Sequence, residues 1–291
     1  MDVHLVDGTY ELFRHFFAVP THRDDEGHEV GAVRAVVGSV LRMLEEGATH
    51  VGVATDHVIE SFRNDRWPGY KTSAGVPEEL LAQFEPLEDA LRLLGVAVWP
   101  MVELEADDAL ASAAVVAAED PRVEQVLVCS PDKDLAQCVS GGKVVQVDRR
   151  RGTTFDETGV AERFGVGPES IPDYLALVGD SADGFPGLPG WGARSAATVL
   201  ARYGHLERIP ALADRWDVPV RGAARLASTL VEQRERAMLF RDLATLRTTA
   251  AVGTVDDWRW SGPARELAAW ARQVDAPGLA ERADRLAAER G

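Results

Sequence analysis

Nine acidic residues carry the strongest chemical signal in this chain: Asp7, Asp56, Glu105, Asp107, Asp108, Asp132, Asp134, Asp180 and Asp183. Surface acids usually scatter along exposed faces. Several of these instead follow apolar runs, with VHLV before Asp7, VGVAT before Asp56 and VEQVLVCS leading to Asp132. In a parallel α/β sheet the carboxyl ends of the strands form the edge where ligands bind. Acids gathered at that edge repel one another unless divalent cations neutralise them, and hard oxygen donors select magnesium or manganese. Helix capping and the helix dipole would account for one or two acids in EADD (105–108). They do not account for Asp132 and Asp134 in SPDKDL, or for Asp180 and Asp183 in GDSADG. A pocket holding two such ions about 4 Å apart can activate a water, grip a scissile phosphate and stabilise the leaving oxygen. No rival chemistry is advertised, since the seven histidines lack metal-ligand spacing and no GxSxG or GKS/T motif occurs.

A second signal is GLPGWGARSA (187–196), where Gly187, Gly190 and Gly192 make a tight turn leading into a helix start. Backbone there can approach a phosphate closely, which is the pattern of a helix–hairpin–helix clamp on a DNA backbone. The polar, aromatic and basic stretch SFRNDRWPGYKTSAG (61–75) has no clear period.

These groups must be positioned by the elements around them. Strands are expected at about 3–6, 50–55, 96–99, 123–129 and 143–147, separated by helical stretches such as 31–47 and 77–95. Strands alternating with helices imply βαβ units and a mainly parallel sheet flanked by helices. Beyond about residue 155 the sequence is helix after helix with Gly/Pro breaks. The expected organisation is an α/β domain over 1–160, a helical region over 161–250 that carries the GLPGWG turn, and a helical tail over 251–291 that packs back on the first domain.

The motifs resemble those of the 5′-nuclease family, which includes flap endonucleases, phage 5′-exonucleases and the N-terminal domain of bacterial DNA polymerase I. LVDGT, EADD, PDKDL, GDSADG and GLPGWGARSA occur in family order across about residues 1–250. The resemblance implies a PIN-like fold with an H3TH clamp, and two or in some members three divalent ions. It assigns Asp7, Asp56, Glu105, Asp107 and Asp108 to one ion and Asp132, Asp134, Asp180 and Asp183 to the second. It also implies catalytic roles for Arg14 and Lys71, and DNA contacts from Arg63, Tyr70, Gly187, Gly190, Gly192, Arg194 and Ser195. Lys71 would neutralise phosphate charge and Tyr70 would stack on an unpaired base beside an arch over 61–85. The implied substrate is DNA with a 5′ single-stranded flap or end joined to duplex, and the hairpin of family members commonly holds potassium. Two features depart from the pattern: TSAG follows GYK where a further basic residue is common, and Gly184 replaces the asparagine of GDxxDN. A PIN-type endoribonuclease would share the acids without needing the clamp. A non-catalytic structure-specific DNA-binding protein would be expected to have lost them.

Bulk composition fits this reading. The 291 residues carry a formal net charge of −16, which taken alone argues against a polyanionic partner. The nine acids supply −9 of it and leave −7 elsewhere, so bound cations would reverse the sign where a phosphodiester approaches. Three lysines stand against 28 arginines, a bias typical of a GC-rich genome. No run is long enough to span a bilayer, and MDVHLVDGTY lacks the marks of a signal peptide. Cys129 and Cys138 give neither a disulfide framework nor zinc spacing. The expectation is a free-standing cytoplasmic nuclease with no membrane partner.

Overall fold

Four of the apolar runs become the parallel strands of one sheet. In the computed structural model, which describes residues 1–291, β1 (Asp2–Asp7), β2 (His50–Asp56), β3 (Ala97–Met101) and β4 (Gln125–Cys129) lie in the order β3-β2-β1-β4. β2 is buried along its whole length, as a strand covered by helices on both faces must be. Helix Gly31–Glu45 buries Val33, Val36, Val37, Val40, Leu41 and Leu44, the face its 3.6-residue period predicts. No helix is long and apolar enough to cross a membrane.

The helix expected over 77–95 is broken into Glu78–Leu81 and Phe84–Leu94. Pro86 has no amide to give to the carbonyl four residues back, so the ladder stops and a new helix begins around it. The buried Gln83 bridges the break. Its side chain accepts from Val33 N at 3.2 Å and donates to Glu79 O at 3.1 Å.

The chain divides into two compact units interleaved in sequence. The first comprises Met1–Ile59, Ser73–Ser130 and Arg247–Gly291; the second comprises Glu60–Thr72 and Pro131–Leu246. Aromatic burial explains the return of the C-terminal segment to the first unit. Trp258 is 1% exposed and packs edge-on against Trp99 at 5.3 Å, while Trp260 donates from its indole to Leu94 O at 2.8 Å. Buried indoles contribute large apolar area and need such a partner for the N–H. Helix Pro277–Arg290 adds an ion pair from Arg282 to Glu45 at 2.6 Å.

In the second unit, β5 (Val144–Asp148) and β6 (Thr153–Phe155) form an antiparallel pair. β6 was not expected, because three residues are too short to display a period. The remainder is helical: Glu157–Phe164, Ile171–Val178, Ala193–Tyr203, Ala223–Glu232 and Arg234–Ala244. Residues 60–72 belong here because Trp67 meets Phe240 edge-on at 5.1 Å and Tyr70 is buried in the same core.

Candidate metal centres and nucleic-acid interface

In the first unit the acids stand at strand ends and at one helix start. Asp7 ends β1 and caps helix Gly8–Phe16, its Oδ1 accepting Tyr10 N at 2.8 Å and its Oδ2 accepting the Ser130 hydroxyl at 2.8 Å. Asp56 ends β2; its Oδ1 accepts Ala106 N at 2.6 Å, and its own N–H donates to Thr9 Oγ1 at 2.7 Å. Those bonds bring the ends of β1, β2 and β4 and the start of helix Ala106–Glu119 together. Glu105 is buried immediately before that helix and Asp107 is half-buried in its first turn. Asp108 is the most deeply buried acid of EADD. It is fully buried, and its oxygens accept Glu105 N at 3.0 Å and Arg247 N at 2.8 Å, so it fastens the returning C-terminal segment to the helix. Arg14 lies on the helix after Asp7 and is engaged by Glu11 and by His15 at 2.7 Å.

In the second unit, one carboxylate oxygen from each of Asp134, Asp180 and Asp183 lies within 4.8 Å of the others. Asp134 is 4% exposed, and its Oδ1 is buried with no hydrogen-bond partner. Burial, then the charges of Asp183, Asp132 and Asp180, push its carboxyl well above the usual carboxylate range. A buried carboxylate oxygen left without a donor among three acids fits a divalent cation, which supplies the missing charge. Asp132 is exposed, and its Oδ1 accepts Asp134 N at 3.1 Å. Lys71 Nζ stands 3.2 Å from Asp183 Oδ1, and Lys133 Nζ stands 2.7 Å from Asp180 Oδ2. Burial alone would depress the Lys133 ammonium, but its bond to Asp180 and the charges of Asp134 and Asp132 outweigh that and raise it.

The raised Asp134 carboxyl has a consequence for stability. Without a divalent ion the folded state holds this proton more tightly than the unfolded chain does. Its contribution is therefore complete below the unfolded value and is lost as pH climbs through the raised folded value. In EDTA, the wild-type unfolding midpoint should fall more steeply with rising pH than that of Asp134→Asn. Parallel pH profiles would contradict it.

Two residues expected to touch DNA are core residues. Arg63 is 1% exposed, donating Nε–H to Leu243 O at 2.8 Å and Nη2–H to Thr245 O at 3.3 Å, which caps the C-terminus of helix Arg234–Ala244. Tyr70 is 4% exposed in the hydrophobic core and offers no open face for a base. The aromatic–basic pattern of 61–75 thus reflects internal packing at these two positions. The departure at Gly184 also has a steric cause. Its φ is +81°, and a Cβ there would lie 2.0 Å from Gly69 O, so asparagine does not fit.

The hairpin follows Asp183 by a few residues but offers glycines and backbone amides where the acids offer carboxylates. Gly187 has φ +69°, and a Cβ would meet Gly179 N at 2.4 Å, so the turn requires glycine. Gly190 and Gly192 lead into helix Ala193–Tyr203, where the Ser195 hydroxyl accepts Gly192 N at 3.0 Å. Arg194 is exposed in the first turn. A cavity of about 740 Å³ opens here, lined by Gly190, Gly192, Arg194, Ser195, Thr198 and Arg221 among others.

The chain matches two family models: residues 2–165 match the 5′-3′ exonuclease N-terminal resolvase-like domain, and residues 166–266 match the 5′-3′ exonuclease C-terminal SAM fold. It belongs to the 5′-3′ exonuclease family. DNA polymerase I of Pseudomonas aeruginosa is 36% identical over 273 residues, covering 90% of this chain and 29% of the polymerase. DNA polymerase I of Mycobacterium tuberculosis is 34% identical over 257 residues, covering 84% and 28%. The chain therefore spans less than a third of the curated relatives it matches. Among solved structures, the T5 D15 protein co-crystallised with metal ions superposes with a TM-score of 0.65 at 19% identity, covering 99% of this chain and 98% of that one. Flap endonuclease-1 from Methanococcus jannaschii superposes with a TM-score of 0.64 at 14% identity, covering 100% and 93%. At those identities the likeness is one of fold. Family membership makes the protein a nuclease acting on phosphodiester bonds.

Sequence reasoning missed several residues that hold the acids. Thr9 and Ser130 fix Asp56 and Asp7. Gln146 donates to Asp132 O, and Gln137 donates to Asp134 O at 2.8 Å, which locks the PDKD loop. Ser130 and Lys133 lie inside the SPDKDL motif and were visible there; the glutamines carried no signal.

Proposed function

We propose that the protein is a structure-dependent 5′-nuclease that hydrolyses DNA at or near 5′ ends and flaps. The observation that carries this reading is the buried, unpartnered Asp134 oxygen within the trio Asp134, Asp180 and Asp183. Asp7, Asp56, Glu105 and Asp107 would hold one magnesium or manganese ion, with Asp108 fixing the helix start that carries two of them. Asp134, Asp180 and Asp183 would hold the second, with Asp132 adding charge. When bound, such ions supply water activation and stabilisation of the leaving oxygen. The chain's own groups do the rest. Arg14 and Lys71 neutralise phosphate charge, and the amides of the 187–195 turn with Arg194 and Ser195 grip a duplex backbone, a turn that would also hold any potassium ion. In-line attack by water leaves a 5′-phosphate and a 3′-hydroxyl. A cytoplasmic setting in replication or repair suits this activity.

The test is a labelled 5′-flap duplex incubated with Mn²⁺ or with EDTA. Cleavage near the junction in Mn²⁺ and none in EDTA is expected. Binding without cleavage in either condition would leave a DNA-binding protein, and preference for single-stranded RNA would overturn the DNA reading. The clamp has its own check. Arg194→Ala should weaken duplex binding and reduce the slope of log K against log salt by about one, as loss of one phosphate contact does. An unchanged slope removes Arg194 from the contacts.

A further inference from the structure

We propose that Lys133 is a built-in counter-cation of the second carboxylate cluster, holding Asp180 when no divalent ion is bound and so setting how tightly one ion binds. The inference rests on reading Asp134, Asp180 and Asp183 as ion ligands. Asp180 is 1% exposed, so water cannot neutralise it. Its Oδ2 lies 2.7 Å from Lys133 Nζ and its Oδ1 accepts Ala182 N at 2.9 Å, whereas Asp134 Oδ1 has no partner. The cluster is thus half satisfied from within the chain.

Asp134, Asp180 and Asp183 bring three carboxyl groups together, with the ammonium groups of Lys71 on Asp183 and Lys133 on Asp180. An ion using Asp180 Oδ2 must take it from Lys133, and the two cations then repel at a few ångströms. The backbone cannot move aside, because Gln146 and Gln137 hold the carbonyls of Asp132 and Asp134 on either side. The lysine side chain, 32% exposed, can rotate its ammonium out to water. An ordinary ion pair would support the fold with or without metal. A counter-cation supports it only until an ion arrives, and opposes the ion.

The experiment uses the full chain and its Lys133→Gln, Lys133→Arg and Asp134→Asn variants, with Mn²⁺ titration calorimetry and thermal unfolding in EDTA and in saturating Mn²⁺. The Mn²⁺ binding lost in Asp134→Asn defines the site. Lys133→Gln should bind that Mn²⁺ roughly tenfold more tightly, and Lys133→Arg should stay near wild type. The Gln variant should also unfold at a lower temperature in EDTA, with the deficit recovered in saturating Mn²⁺. Equal or weaker Mn²⁺ binding in Lys133→Gln, or a deficit that Mn²⁺ does not recover, would overturn the inference while leaving the ligand assignment intact. If wild type shows no Asp134-dependent Mn²⁺ binding, the ligand assignment fails and this inference fails with it.

Discussion

Asp134→Ala is expected to lower flap cleavage by more than about a hundredfold while duplex binding stays close to wild type. Groups that merely orient a metal ligand already cost 10- to 100-fold when removed, so loss of a ligand should cost more. Asp134 is the residue with the most to lose. It is buried, its Oδ1 has no other partner, and it shares the trio with Asp180 and Asp183. The hairpin residues 187–195 lie elsewhere in the second unit's sequence and keep their own geometry. Single-turnover cleavage in Mn²⁺ and duplex binding by fluorescence anisotropy in EDTA separate the two effects. Near-normal turnover would show that the ligands are wrongly assigned, and a parallel loss of binding would show that Asp134 acts through the fold.

Arg63→Ala should destabilise the protein by about 3–5 kcal/mol, combining the cavity left by a large buried side chain with carbonyls stripped of their donor. Leu243 O and Thr245 O would lose the partner that ends helix Arg234–Ala244. Arg63→Lys should recover little, because an ammonium cannot reproduce the planar fork that reaches both carbonyls. Urea unfolding reads the effect directly. The rival role, a DNA contact, predicts weaker duplex binding with an unchanged urea midpoint, and that result would return Arg63 to the interface.

The parts of this molecule that repeat were legible in its sequence. Four parallel strands follow from apolar runs such as VHLV and VGVATD, and helix Gly31–Glu45 follows from its valine spacing. Asp7 and Asp56 were legible because they sit where those runs end. What could not be read is side-chain direction within irregular segments. SFRNDRWPGYK has the composition of a nucleic-acid loop, yet Arg63 and Tyr70 point inward because carbonyls and a hydrophobic core await them. Sequence spacing likewise could not separate Asp107 from Asp108. One is half-buried, and the other is fully buried and accepts backbone amides 3 and 139 positions away. The break before Pro86 was available from proline chemistry and was overridden by the amphipathic pattern on either side.

The return of the last segment to the first unit bears on how the protein is made. Trp99 emerges from the ribosome long before Trp258, and Asp108 waits for Arg247. The parallel sheet can therefore assemble early but stays unsealed until residues 247–260 have been made, an interval in which apolar surface is open to chaperones and to other nascent chains.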